Sequence, residues 1–326
     1  MLPKQTTGHY VLSSSPHTHA KISVSALMLD VIIALLPATA CSIYFFGLKA
    51  AFLVGTCIAS CVVTEALCRL AMKRENTVGD LSAVLTGLLL ALNLPPDLPL
   101  WMAAVGGVFA IGVAKQVFGG LGYNPFNPAL AARAFMLISF TGAMTTWSSS
   151  AWRGADAVTT ATPLAFIKKG ADGFDWSQMS LLKDLFLGNV NGCVGEVSAL
   201  ALLIGAAYLL WRKVITWHIP VAFIGTVFLF ALCKGGVPPL VHVLSGGVVL
   251  GACFMATDYV TSPTTAKGKL VFGCGCGLLT MCIRSGGGYP EGVSFAILIM
   301  NALCPLINRW TQPKAFGSKK WLVASG

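Results

Sequence analysis

The sequence predicts an all-α integral membrane protein of about ten transmembrane helices, in two inverted five-helix repeats with a long extracytoplasmic loop. Three observations predict it. Apolar residues make up 56% of the 326-residue chain and charged residues only 10%, against about 25% charged in a soluble domain. Apolar runs of helix length recur along the chain, separated by Gly and Pro breaks. The basic residues cluster on alternate connections, as they do when a chain crosses a membrane repeatedly.

Taken in order, residues 1–24 form a polar tail. The first 20 residues have no apolar core and no small-residue cleavage site, so a cytoplasmic tail is expected rather than a removable leader. The first repeat covers residues 25–143. Its expected spans are Ser25–Phe46, Ala50–Met72, Leu81–Leu100, Trp101–Phe118 and Pro128–Ala143. The third is cut by "NLPPDLP", where Pro95 and Pro96 end regular helix near Asn93. Residues 144–196 form the extracytoplasmic loop. The second repeat, residues 197–310, holds Val197–Trp211, Ile219–Cys233, Leu240–Ala256, Leu270–Ile283 and Val293–Trp310, and residues 311–326 form a second cytoplasmic tail.

Orientation follows from charge. With the N-terminus in the cytoplasm, the short inside segments carry fourteen bases from Lys4 to Lys320, and the short outside loops only Lys49, Lys234 and Arg284. Both termini then face the cytoplasm of a multi-pass cell-membrane protein (the inner membrane in a Gram-negative organism). The net charge of +10 marks that membrane surface and the lipid around it, not nucleic acid.

The repeat is legible in two pairs of strings. "TGLLLALNLPPD" (Thr86–Asp97) resembles "SGGVVLGACFMATD" (Ser245–Asp258), and "GGLGYNP" (Gly119–Pro125) resembles "GGGYPEG" (Gly286–Gly292). Both pairs are about 160 residues apart. An odd number of spans per repeat gives the two halves opposite topology, and broken segments at matching places point to a site between them.

Candidate chemistry is sparse. Cys57, Cys61 and Cys68 share a helix face, and Cys274 and Cys276 form CxC rather than the paired CxxC of clusters and zinc sites, so no metal site within the chain is expected, and ligation of a metal by one or two cysteines at an interface between components stays open. No HxxxH or HExxH pair occurs. Ionisable residues at membrane depth are costly and so informative. Asp30 and Glu65 fall in the first two spans, Lys115 ends the fourth, Arg133 lies in the fifth, and Asp258 follows the break in the second half. They are either salt bridges or parts of an ion path or cofactor site. Asn93, Asp258, Asp30 and Glu65 are the candidates for an ion or flavin site.

The loop contains "DAVTTATPL", which reads D-x-x-T-x-A-T from Asp156 to Thr162, with Pro163 holding Thr162 out of helix. Alone, this string is an ordinary threonine-rich turn. It does not stand alone. "VIIALLPATACSIYFFG", "DLSAVLTGLLLALNLPPDLPLW", "AKQVFGGLGYNPFNPALAARAF", "DAVTTATPL" and "MATDYVTSPTTAKGK" extend the likeness over nearly the whole chain. With these strings the chain resembles the RnfD/NqrB family, the D component of the Rnf electron-transport complex and its kin, the B component of the sodium-pumping NADH–quinone reductase. The resemblance implies FMN joined by a phosphoester to Thr162, with Asp156, Thr159 and Ala161 completing the motif that a flavin transferase reads. Thr160 stands where the family often has glycine. It further implies a second, non-covalent flavin (riboflavin or FMN) among the helices. The implied partners are the other Rnf components, RnfA, RnfB, RnfC, RnfE and RnfG, especially the flavoprotein RnfG. The implied activity is electron transfer between ferredoxin and NAD⁺ coupled to Na⁺ or H⁺ movement. Two alternatives stay open, the quinone-reductase component itself and a stand-alone small-solute channel. The short N-terminal tail favours Rnf, and a channel gives no reason for the threonine motif.

Overall fold

A computed structural model of the chain describes residues 23–75, 77–147, 164, 167, 179–188, 192–287 and 291–313. Among them every regular element is helical. Helix α1 (Val24–Phe46) starts where the Ser23 hydroxyl accepts the Ala26 amide at 3.2 Å. Gly47, at φ 70°, turns the chain directly into α2 (Leu48–Ala71). The 11-residue α3 (Ser82–Leu92) stops short of a full crossing at Asn93, two residues before the Pro95–Pro96 pair. α4 (Leu100–Val108) continues as a π-helix over Phe109–Gln116. α5 (Pro128–Ser139) has proline in its first turn, and the Asn127 side chain accepts the amides of Ala129 (3.1 Å) and Leu130 (3.4 Å). This is a full N-cap.

The expected span Pro128–Ala143 is interrupted, because Phe140 leaves helical geometry before the short α6 (Thr141–Met144). Then follow α7 (Met179–Leu187), α8 (Ala199–Trp211) and α9 (His218–Lys234). Leu240–Ala256, read from sequence as one span, is divided. α10 (Pro239–Leu244) ends at Ser245, Gly246 and Gly247 take φ of 69° and 64°, and α11 (Val248–Leu250) opens into a π-helix at Gly251–Met255. Glycine tolerates these angles without the penalty of a Cβ. α12 (Ala266–Gly286), capped by Thr265, and α13 (Val293–Thr311) complete the chain.

Among the described residues four helices, α1, α2, α12 and α13, are long and apolar enough to cross a membrane. The shorter apolar helices pack among them. Water-excluding force does not hold helices together in lipid, so close backbone approach through small residues matters more. Such approaches are frequent. A Cβ on Gly205 of α8 would lie 2.0 Å from the Ala34 carbonyl, and Cβ atoms on Gly273 and Gly277 of α12 would lie 2.9 and 2.8 Å from carbonyls of α9. The perimeter exposes large apolar side chains such as Leu36, Phe52, Leu67 and Leu229, as a lipid-facing surface requires.

The two broken segments meet inside. Asn93 Nδ2 donates to Met255 Sδ at 3.5 Å, and Asn127 Nδ2 to the Met255 carbonyl at 3.3 Å. Both ends of the molecule are marked by charge. One carries Arg69, Lys213 and Lys269, and the other the Lys49–Asp97 pair and Lys234.

Candidate functional site

Three features stand out, two buried charge clusters and one cavity. The first cluster joins α2 to the π-helix after α4. Lys115 Nζ donates to Glu65 Oε1 at 2.9 Å and to Ser82 Oγ at 2.7 Å. The same Glu65 oxygen accepts Gln116 Nε2 (3.0 Å) and Thr77 Oγ1 (3.1 Å). Glu65 and Lys115 are both at most 1% exposed. The π-helix puts Lys115 and Gln116 side by side on the inner face of their helix, where both reach Glu65.

The second cluster lies toward the opposite end. Arg133 of α5 is buried, and its guanidinium forks between two regions. Nη1 donates to Asn93 Oδ1 at 2.7 Å. Nη2 pairs with Glu291, lies 3.3 Å from Cys193 Sγ, and is 3.9 Å from Glu196 Oε1. Arg284, also buried, donates to the carbonyls of His242, Ser245 and Gly246 and faces the same two glutamates. Cys193, Glu196 and Glu291 bring ligand atoms within 4.8 Å of one another. That donor set would suit a cation, and here it surrounds a guanidinium. Burial first, and then the Glu291 charge, raise Glu196 well above the ordinary carboxylate range, against the pull of Arg133 and Arg284.

The cavity lies at the Arg69–Lys213 end, between α1, α3, α5, α8 and the segment after the second π-helix. Its volume is about 90 Å³. Leu27, Met28, Val31, Leu89, Ile215 and Phe254 form apolar walls. Ser82, Lys115, Asn124, Asn127, Thr257 and Asp258 supply the polar groups. Apolar walls with a few convergent polar groups are the usual lining of a small-molecule site.

The four residues read from sequence as an ion or flavin site are dispersed. Asp258 lines the cavity, but its carboxylate also closes its own turn, accepting Thr261 Oγ1 at 3.1 Å and the Val260 amide at 3.5 Å. Burial raises its pKa. Glu65 reaches the cavity only through Lys115. Asn93 belongs to the Arg133 cluster. Asp30 pairs with Arg212 at 3.1 Å and accepts Tyr208 Oη at 3.0 Å, tying α1 to α8. Asp156, Thr159, Ala161 and Thr162 lie outside the described residues. Leu164, two positions beyond Thr162, is buried, with its side chain against Gly246 in the turn that Arg284 holds.

Sequence reasoning missed Glu196 and Glu291 as partners of Arg133. Each is a single acid at the edge of an apolar run, which is the signal that was there to find.

The comparison with known proteins decides the family. The sequence profile described as "NQR2, RnfD, RnfE family" matches residues 11–317. The chain belongs to the NQR2, RnfD, RnfE family. It is 53% identical over 311 residues to the D component of the Na(+)-translocating ferredoxin:NAD(+) oxidoreductase complex of Acetobacterium woodii, covering 95% of this chain and 96% of the relative. It is 46% identical over 322 residues to the D component of the proton-translocating ferredoxin:NAD(+) oxidoreductase complex of Clostridium ljungdahlii, covering 95% and 97%. To the D component of the ion-translocating oxidoreductase complex of Escherichia coli K12 it is 37% identical over 348 residues, covering 95% and 99%. Membership in the NQR2, RnfD, RnfE family thus extends over the helices, both clusters, the cavity and the threonine motif alike.

Proposed function

We propose that this chain is the membrane component of an Rnf complex that passes electrons between ferredoxin and NAD⁺ and couples the transfer to Na⁺ or H⁺ translocation. The observation that carries this reading is likeness over nearly the full length to relatives named as D components of ferredoxin:NAD(+) oxidoreductase complexes, one named Na(+)-translocating and one proton-translocating. Its partners are RnfA, RnfB, RnfC, RnfE and RnfG, with the flavoprotein RnfG adjacent in the electron path.

The finer architecture is ten crossings in two inverted five-helix repeats within the cell membrane, with both termini cytoplasmic. The shared break pattern supports it. α3 and the α11 π-segment are the matching short helices, and glycine-rich connectors precede α5 and α13, the last helix of each half. In this orientation the cavity opens to the cytoplasmic side.

FMN joins Thr162 through a phosphoester made by a flavin transferase, on the extracytoplasmic loop. D-x-x-T-x-A-T supports this, because a threonine hydroxyl needs a partner enzyme to activate it and a small, extended segment to be reached. A second, non-covalent flavin occupies the cavity. The fit rests on the lining: apolar walls, with Lys115 and Ser82 as donors and Asn124, Asn127 and Asp258 as further polar groups. A bound flavin supplies one- and two-electron chemistry, while the chain's residues hold, orient and tune it. Asn127 is already fixed by its cap and its bond to Met255, so it offers a rigid edge.

Two measurements test the reading. Mass spectrometry of the loop peptide after co-expression with a flavin transferase is expected to find one FMN on Thr162, lost in Thr162→Ala and kept in Thr160→Ala. An unmodified Thr162 in an active complex would refute it. Ala129→Phe, which fills the cavity, is expected to lower acid-extractable flavin by one per chain while Thr162 stays modified.

A further inference from the structure

The cavity wall carries one cation drawn from inside the helix bundle, Lys115. An ammonium has three hydrogens. Two are spent, on Glu65 Oε1 and Ser82 Oγ. Among the described residues, neither the third hydrogen nor the hydroxyl hydrogen of Ser82 has an acceptor, and both residues line the cavity. The cluster behind them is over-supplied. Glu65 Oε1 takes three donors, while Glu65 Oε2 and Gln116 Oε1 take none, although both side chains are almost fully buried.

A buried ion pair is an expensive way to join two helices, since apolar residues of similar volume usually serve as well or better. This pair costs least if its charge is used. It is bent toward the cavity, with the cation at the wall and the anion behind it. The other ionisable groups around it are Arg69 and Cys61, on α2 beside Glu65, and Asp258 and Tyr259, across the cavity.

We infer that Lys115, held by Glu65, is the charge that tunes the redox group in the cavity, binding its electron-rich form more tightly than its electron-poor form. This rests on the proposed flavin site. No proton or group changes hands at Lys115. The electrons are those the complex already carries, and the ammonium only shifts the balance between two states of its neighbour. A fixed positive charge at the wall raises the midpoint potential, and a net negative charge there lowers it.

The two partners therefore have opposite signatures. Lys115→Met leaves Glu65 alone and is expected to lower the midpoint potential of the cavity flavin. Glu65→Gln leaves Lys115 alone and is expected to raise it. A tenfold change in the affinity ratio of the two forms corresponds to about 30 mV for a two-electron couple, and each single variant should move at least that far. Lys115→Arg keeps the charge and should stay close to wild type. The neutral double variant Glu65→Gln/Lys115→Met should fall between the two singles.

The measurement is a potentiometric titration of the full chain, purified in detergent with its complex. The component lost in Ala129→Phe identifies the cavity flavin. If Lys115→Met fails to assemble, Glu65→Gln and the double variant still carry the test. Single variants that retain the flavin but leave its potential unmoved, or move it in the same direction, overturn the proposal and leave the cavity reading intact. An acid-extractable flavin content unchanged by Ala129→Phe overturns the cavity reading, and this proposal with it.

Discussion

Lys115 and Arg133 are both buried cations, yet they spend their charge differently. Lys115 makes two bonds within one neighbourhood, lines the cavity, and among the described residues has one hydrogen left without an acceptor. Arg133 spends its fork on fastening, joining Asn93 at the end of the broken α3 to Cys193, Glu196 and Glu291 from other parts of the chain. The residue types suit the roles. A guanidinium is a planar fork that can bind several acceptors at once, whereas an ammonium is a compact charge on a flexible stem. Two buried cations thus differ in setting: Arg133 is ringed by acceptors, and Lys115 lines a cavity.

The strongest way to break the comparison is to remove the fastener. Arg133→Leu leaves Glu196 and Glu291 with Arg284 alone, and is expected to cost about 3–5 kcal/mol. Loss of assembly, or a large fall in the melting temperature in detergent, would be the readout; a melt like that of wild type would mean the guanidinium fastens nothing. Arg133→Lys should recover only part, because one ammonium cannot reach both Asn93 and the acids.

Next comes the other cluster. Lys115→Met alone strands a buried carboxylate, but the double variant Glu65→Gln/Lys115→Met strands nothing and should melt within about 1–2 kcal/mol of wild type. A double variant no better than the single would make the inner pair a structural fastener after all, like Arg133.

A third, smaller effect concerns pH. Glu196 is raised above its unfolded value of about 4.3. Its contribution to stability is therefore fully present below that value and is lost as pH rises through the higher folded value. Melting curves between about pH 5 and pH 8 should show a decline that Glu196→Gln flattens; a decline of the same size in the variant would assign it to another group. The smallest effect is expected at Asp30–Arg212, where the Arg212 side chain is 51% exposed. Arg212→Ala should leave the melting temperature almost unchanged, and a clear fall would mean that α1 and α8 depend on this pair.

Much of the frame was legible because its signals are local. The long apolar runs of α1, α2, α12 and α13 and the proline break after Asn93 are each written in a few adjacent residues. What was not legible depends on distance or on backbone detail. Glu291 lies 158 positions from Arg133, so no spacing rule could pair them. The cavity draws its walls from several helices, and Asp30 and Glu65, which look alike in sequence, turn out to serve an edge pair and an interior pair. Residues 240–256 read as one apolar run because Gly246 and Gly247 do not lower hydropathy much, although their backbone angles end the helix. The π-helices leave no mark in composition at all.

The π-helix at Phe109–Gln116 has a consequence for how this gene can change. A π turn holds one residue more than an α turn would. Straightening it to ordinary α geometry at the same length would rotate everything beyond it by about 100°. Lys115 and Gln116 would swing away from Glu65 together. A lineage that regularised this turn without also losing a residue would have to relocate a buried carboxylate to keep Lys115 and Gln116 paired.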